Sequence, residues 1–143
     1  MRLRRTSALL ILLLNSVGAA PAALAGNIKV IANPALHISE ISVEQLRAIF
    51  LGTATSLKDT GPVQPVLDKD GTNLSQFAAA YLGKTGTALE TYYRSLLFTG
   101  KGSTPMSFAS DAEVIAYVAK TRGAIGFVRE TTPAEQVKTL KVK

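Results

Sequence analysis

The sequence predicts an α/β domain with a central mixed sheet flanked by helices. Two observations carry this. Short apolar runs at 28–32, 63–67, 124–128 and 138–142 have the length and make-up of strands. Between them lie helical stretches at 43–51, 74–82, 88–98 and 111–120, three of which open on capping boxes: Ser42 with Gln45, Thr87 with Glu90, and Ser110 with Glu113. Strands alternating with amphipathic helices in one chain fold into a sheet covered by helices. No repeat, low-complexity tract or interdomain linker interrupts the pattern, so one domain with one core is expected.

The first 25 residues stand apart from it. Arg2, Arg4 and Arg5 form a basic start, Ala8 to Leu14 is a short apolar core, and Ala23-Leu24-Ala25 is a small-residue cleavage pattern. This reads as a signal peptide over 1–25, with a mature domain over 26–143 that carries no membrane anchor and works in the periplasm. Cleavage leaves 118 residues and removes three of the 16 basic side chains, so thirteen face ten acids and net charge falls from +6 to +3. The basic residues are scattered rather than gathered on a helix face, which argues against nucleic acid. The chain has no cysteine, so neither a disulfide nor a lipidated cysteine is available.

The elements follow in order. Ile28 to Ala32 is a strand closed by Asn33-Pro34. His37, the single histidine, falls in the next loop, so no histidine-rich metal site exists and no catalytic partner is near it. Val43, Leu46, Ile49 and Phe50 recur at helical spacing after Ser42, and the polar stretch from Thr53 to Gly61 reads as an exposed loop. Pro62 and Pro65 restrict the run at 63–67 to a strand start or a sheet edge. Leu89, Tyr92, Tyr93, Leu96 and Leu97 make the apolar side of the third helix, where the tyrosines fit the edge of a core. Thr99 to Pro105 is glycine-rich but lacks the spacing of a phosphate-cradling loop. Gly126, inside the run at 124–128, signals a bulge or a close approach of another backbone. Residues 138–142 alternate as a final edge strand.

The stretch from Val63 to Leu82 holds the candidate site. Asp68-Lys69-Asp70-Gly71-Thr72 is turn chemistry, Asn73 serves as an N-cap with Gln76 three residues on, and Gly83 ends the helix. Free backbone N–H groups at such a turn, with the positive end of a helix dipole, suit an anion. Asp70, Gly71, Thr72 and Asn73 are therefore the candidate ligand-binding residues. Nothing marks a catalytic or metal-binding group, and no cofactor is implied; the Asp68 and Asp70 carboxylates alternate along the turn, and no G-x-S-x-G elbow is present.

Several segments together carry a resemblance: VIANP at 30–34, AIFLG at 48–52, the V-P-V-L-D type strand, GKG at 100–102 and EVIAYVAKTRGAIGFV at 113–128. The chain resembles the phosphate-type periplasmic substrate-binding proteins of ABC transporters, and within them a short member with a single lobe of the type 2 periplasmic-binding fold. The resemblance implies a small oxyanion such as phosphate as ligand, and an ABC permease or another envelope protein as partner. It also implies an anion loop of the form Arg-x-Asp-Gly-Ser-Gly-Thr. Aligned on Asp70-Gly71, that loop puts Thr72 at the serine, Asn73 at the glycine, Leu74 at the threonine and Asp68 at the arginine. An aspartate there repels an oxyanion that an arginine fork would hold, so binding is expected to be weak or altered, and Asp68→Arg is expected to strengthen it. The alternative is an interaction or sensory module of the envelope that kept the fold and lost the ligand.

Overall fold

The computed structural model describes residues 27–143; the leader and cleavage site read from the sequence lie outside them. The main sheet has six strands in the order β2-β8-β1-β7-β5-β6. They are β1 (Ile28–Ala32), β2 (Glu40–Ile41), β5 (Gln64–Asp68), β6 (Met106–Phe108), β7 (Ala124–Arg129) and β8 (Lys138–Val142), and β3 (Ser56–Leu57) and β4 (Gly61–Pro62) form a separate hairpin. β1 runs antiparallel to both its neighbours, β7 and β8, while the other pairings in the sheet are parallel, so the sheet is mixed as expected.

The helices are α1 (Val43–Phe50), α2 (Asn73–Phe77), α3 (Gly86–Thr99) and α4 (Asp111–Lys120). Ser42 caps α1 with both halves of its capping box in place: its hydroxyl accepts from the Gln45 N–H at 3.1 Å, and the Gln45 side chain accepts from the Ser42 N–H at 3.0 Å. The box expected at Thr87 is not formed. Thr85 caps α3 instead, accepting from the Ala88 N–H at 3.0 Å. Ser110 caps α4, but the Glu113 carboxylate reaches back one residue further than expected, to the Ala109 N–H. The helix expected over 74–82 is α-helical only to Phe77 and widens into a π-turn over Ala78–Leu82 before Gly83 ends it. A run this short does not separate a period of 3.6 from a wider one.

Alternation along β7 divides the core. Ile125 and Phe127 pack with α1, α2 and α3, in a cluster that includes Phe50, Phe77 and Leu89. Ala124 and Val128 face α4 with Val114, Ile115 and Val118. Gly126 shares that second face, and a Cβ there would sit 3.2 Å from Val114 Cγ1 and 3.4 Å from Val118 Cγ2. The close approach is therefore chiefly to helix side chains rather than to another backbone, and it lets α4 lie directly on the sheet. Tyr92 and Tyr93 donate their hydroxyls to the carbonyls of Leu51 and Phe50, each at 2.6 Å. Those carbonyls belong to the last turn of α1, which needs external donors, so the tyrosines tie α3 to the end of α1.

Two sheet positions differ from expectation. The strand at 138–142 is not the edge, because the two-residue β2 pairs outside it. The stretch at 53–61 is not a plain loop: it holds β3 and runs into β4, which pair as a hairpin with Leu57 buried. Pro65 lies near the start of β5, beside β7 but before the pairing with β6 begins at Val66, where its missing N–H is tolerated.

Candidate functional site

The parallel strands β5, β6 and β7 all end at one margin of the sheet, at Asp68, Phe108 and Arg129. Ligands of open α/β sheets collect at such carboxyl ends. Here the margin is closed by a cluster of polar side chains.

Asp68 lies beneath the loop and is fully buried. Its Oδ1 accepts from the Asp70 N–H at 2.8 Å, the bond by which an aspartate stabilises a turn two residues on. Its Oδ2 accepts from Asn73 Nδ2 at 2.9 Å. The same amide nitrogen donates to Asp111 Oδ1 at 2.8 Å. Asp111 opens α4, and its Oδ2 accepts from the Arg129 N–H at 3.3 Å and from the Thr132 hydroxyl. The Arg129 guanidinium pairs with Asp70 at 2.8 Å and stands 3.7 Å from Asp111. Asn73 and Asp111 are buried, so loop 69–72, α4 and the end of β7 are joined through groups held away from water.

The electrostatics follow from that burial. Burial, and then the hydrogen-bonded Asp111 carboxyl, push Asp68 up to about 7 against the opposing Asp70 N–H and Asn73 amide. Burial also pushes Asp111 upward, but hydrogen bonds from Asp68, Thr132 and the Arg129 N–H, together with the guanidinium charge, hold it below the ordinary aspartate value. The pair thus shares one proton up to near-neutral pH, because two adjacent buried carboxylates do not both ionise readily. Among the described residues, no group of three histidine, cysteine, aspartate or glutamate side chains is placed to hold a metal ion.

The four candidate residues are contiguous but unlike one another. Gly71 and Thr72 are exposed, Asp70 is partly covered by its ion pair with Arg129, and Asn73 is buried. Asn73 is not the N-cap. Thr72 takes that position without a capping bond from its side chain, and its hydroxyl accepts from Gln76 Nε2 instead. Asp68 does not stand in solvent facing an anion, so Asp68→Arg would force a guanidinium into a filled interior rather than build a binding fork. Asp111, Arg129 and Thr132 were not legible as site residues. The one available signal was Arg129, a charged residue that closes the otherwise buried β7.

No protein-family model matches the chain, and no curated protein matches it. Solved structures do. An ABC-type phosphate transport receptor from Vibrio cholerae aligns with TM-score 0.54 at 16% identity, over 81% of this chain and 46% of its own. PstS from Borrelia burgdorferi aligns with TM-score 0.55 at 18% identity, over 82% and 47%. A phosphate-binding protein from Stenotrophomonas maltophilia aligns with TM-score 0.56 at 16% identity, over 82% and 39%. The fold is a single lobe of the periplasmic-binding-protein fold.

This lobe spans less than half the length of those structures. Its candidate loop leaves β5 at the margin where a ligand crevice would form. The loop's Asn73 side-chain amide and Asp70 N–H are engaged by the lobe's own carboxylates.

Proposed function

We propose that this lobe is an exported envelope module that acts by contact with another protein, as a solute-binding-like domain whose anion loop is closed from within. One observation carries the reading. The Asp70 N–H and the Asn73 amide, which lie in the segment whose sequence resembles an anion loop, are bonded to the buried Asp68 and Asp111 carboxylates. An oxyanion at that position would meet negative charge where it needs donors. Binding rather than catalysis is the activity, and an ABC permease or another envelope protein is the partner class.

A second reading has its own support. Arg129 is 45% exposed, and its Nη2 is 3.6 Å from where a Cβ on Gly71 would lie. With the exposed Gly71 and Thr72, it offers a cation to a weakly held oxyanion such as phosphate, which fits the phosphate-binding proteins that share the fold. Calorimetric titration of residues 26–143 with phosphate and with sulfate separates the two. The module reading predicts no saturable heat below about 1 mM ligand, a binding free energy weaker than about 4 kcal/mol. Saturable binding below about 1 mM that Arg129→Gln abolishes would establish the second reading instead.

A further inference from the structure

We propose that the strip where the C-terminal half of α3 meets the β6 edge is a docking surface for an extended, acidic and apolar segment of another protein. The proposal rests on the reading of this lobe as a contact module.

The large apolar side chains exposed among the described residues are Leu97 at 56%, Phe98 at 84% and Met106 at 53%. Leu97 stands on the α3 side of the strip beside an open cleft; Met106, in register with Val66, carries its side chain on the α4 face of the sheet, and Phe98 lines neither cleft, so Leu97 and the clefts mark the strip. Two clefts adjoin it, of about 570 Å³ and about 340 Å³, and Tyr93, Thr104 and Pro105 line both. Leu97 borders the smaller cleft and Met106 the larger. The smaller one also reaches Lys69 and Leu74, so the strip is continuous with the loop after β5.

The backbone has a free side here. The Lys69 N–H donates to the Phe108 carbonyl, which aims that carbonyl at the β5 side of β6. Alternation then turns the N–H and C=O of Ser107 outward, where one residue of an extended chain can pair with them. Charge decides what kind of chain. Lys69, Arg94 and Lys101 line the clefts and are exposed, against the single acid Glu90. A second copy of this chain docked on the same strip would bring like-charged rims together, whereas an acidic segment is complementary. Its apolar residues would cover Leu97 and the cleft walls at Tyr93 and Pro105.

The test is to pan a random-peptide display library against the chain and to measure the enriched peptides by fluorescence anisotropy. The expected winners alternate apolar and acidic residues and weaken as salt rises. They lose about tenfold or more in affinity to Arg94→Glu with Lys101→Glu, and they shift the amide resonances of 94–108. Both substitutions are at exposed positions, and an unchanged thermal midpoint verifies that the variant is folded. The proposal is overturned if panning enriches nothing, if the winners are basic or indifferent to the charge reversal, or if they map to another face. It is also overturned if sedimentation shows a dimer that the same variant dissociates. Peptides that bind specifically on another face would remove this strip and leave the contact-module reading standing. Tight phosphate binding at loop 69–73 would remove that reading whatever the peptides do.

Discussion

Asn73→Ala is expected to destabilise the lobe by about 3–5 kcal/mol, measured by urea unfolding near neutral pH. The Asn73 amide is the donor that stands between the Asp68 and Asp111 carboxyl groups. Alanine is the better helix former and leaves little empty volume, so neither propensity nor packing accounts for a loss of that size. The cost comes from two buried carboxyl groups left facing each other with a donor removed. A change under about 1 kcal/mol would mean that the amide does not hold the pair together.

Phe127→Ala should cost a similar amount, about 3–5 kcal/mol. Phe127 is fully buried in β7, with its ring stacked on Phe77 at 4.0 Å and 4° and tilted against Phe50 at 6.0 Å. Those rings come from α2 and α1, so the substitution opens a cavity where two helices meet the sheet. Both helices are anchored elsewhere, which limits how far they can collapse into it. A thermal midpoint unchanged within error would show that the three rings do not form the centre of the core.

The elements that could be read in the sequence are those long enough to show a period. α1, α3 and α4 and the strands β1, β5, β7 and β8 each carry an apolar pattern over five or more residues. β2 and the β3–β4 hairpin have two residues to a strand and β6 has three, too few to show alternation. They exist because a partner is already in place, as where Glu40–Ile41 lies beside Lys141–Val142 and Met106 beside Val66. The site divides in the same way. The turn chemistry of 68–73 is local and was legible. Asp111 lies 38 positions from Asn73, and only the crossover from β5 through α2 and α3 to β6 brings them together. Full burial of Asp68 runs against the ordinary tendency of aspartate to stay in water, and composition gives no sign of it.

That burial has a pH signature. Asp68 holds its proton more tightly folded than unfolded, so between its ordinary value and about 7 the folded state binds more protons than the unfolded chain. Stability therefore falls as pH rises across that window, by at most about 4 kcal/mol for a shift from 3.8 to about 7. Asp111, held below its ordinary value, acts oppositely at the acid end, where stability is lost as pH falls through its lowered pKa. Asp68→Asn, which is neutral at every pH, should flatten the decline between pH 4 and 7.

The most direct measurement follows the carboxyl carbon resonances of Asp68 and Asp111 through a pH titration, with and without phosphate. A loop closed from within predicts one step of the pair near pH 7 with its main response at Asp68. It predicts the other step below the ordinary aspartate range, and neither curve displaced by phosphate. Two ordinary carboxylates, with Asp68 moving as phosphate is added, would contradict it and show a loop open to an anion.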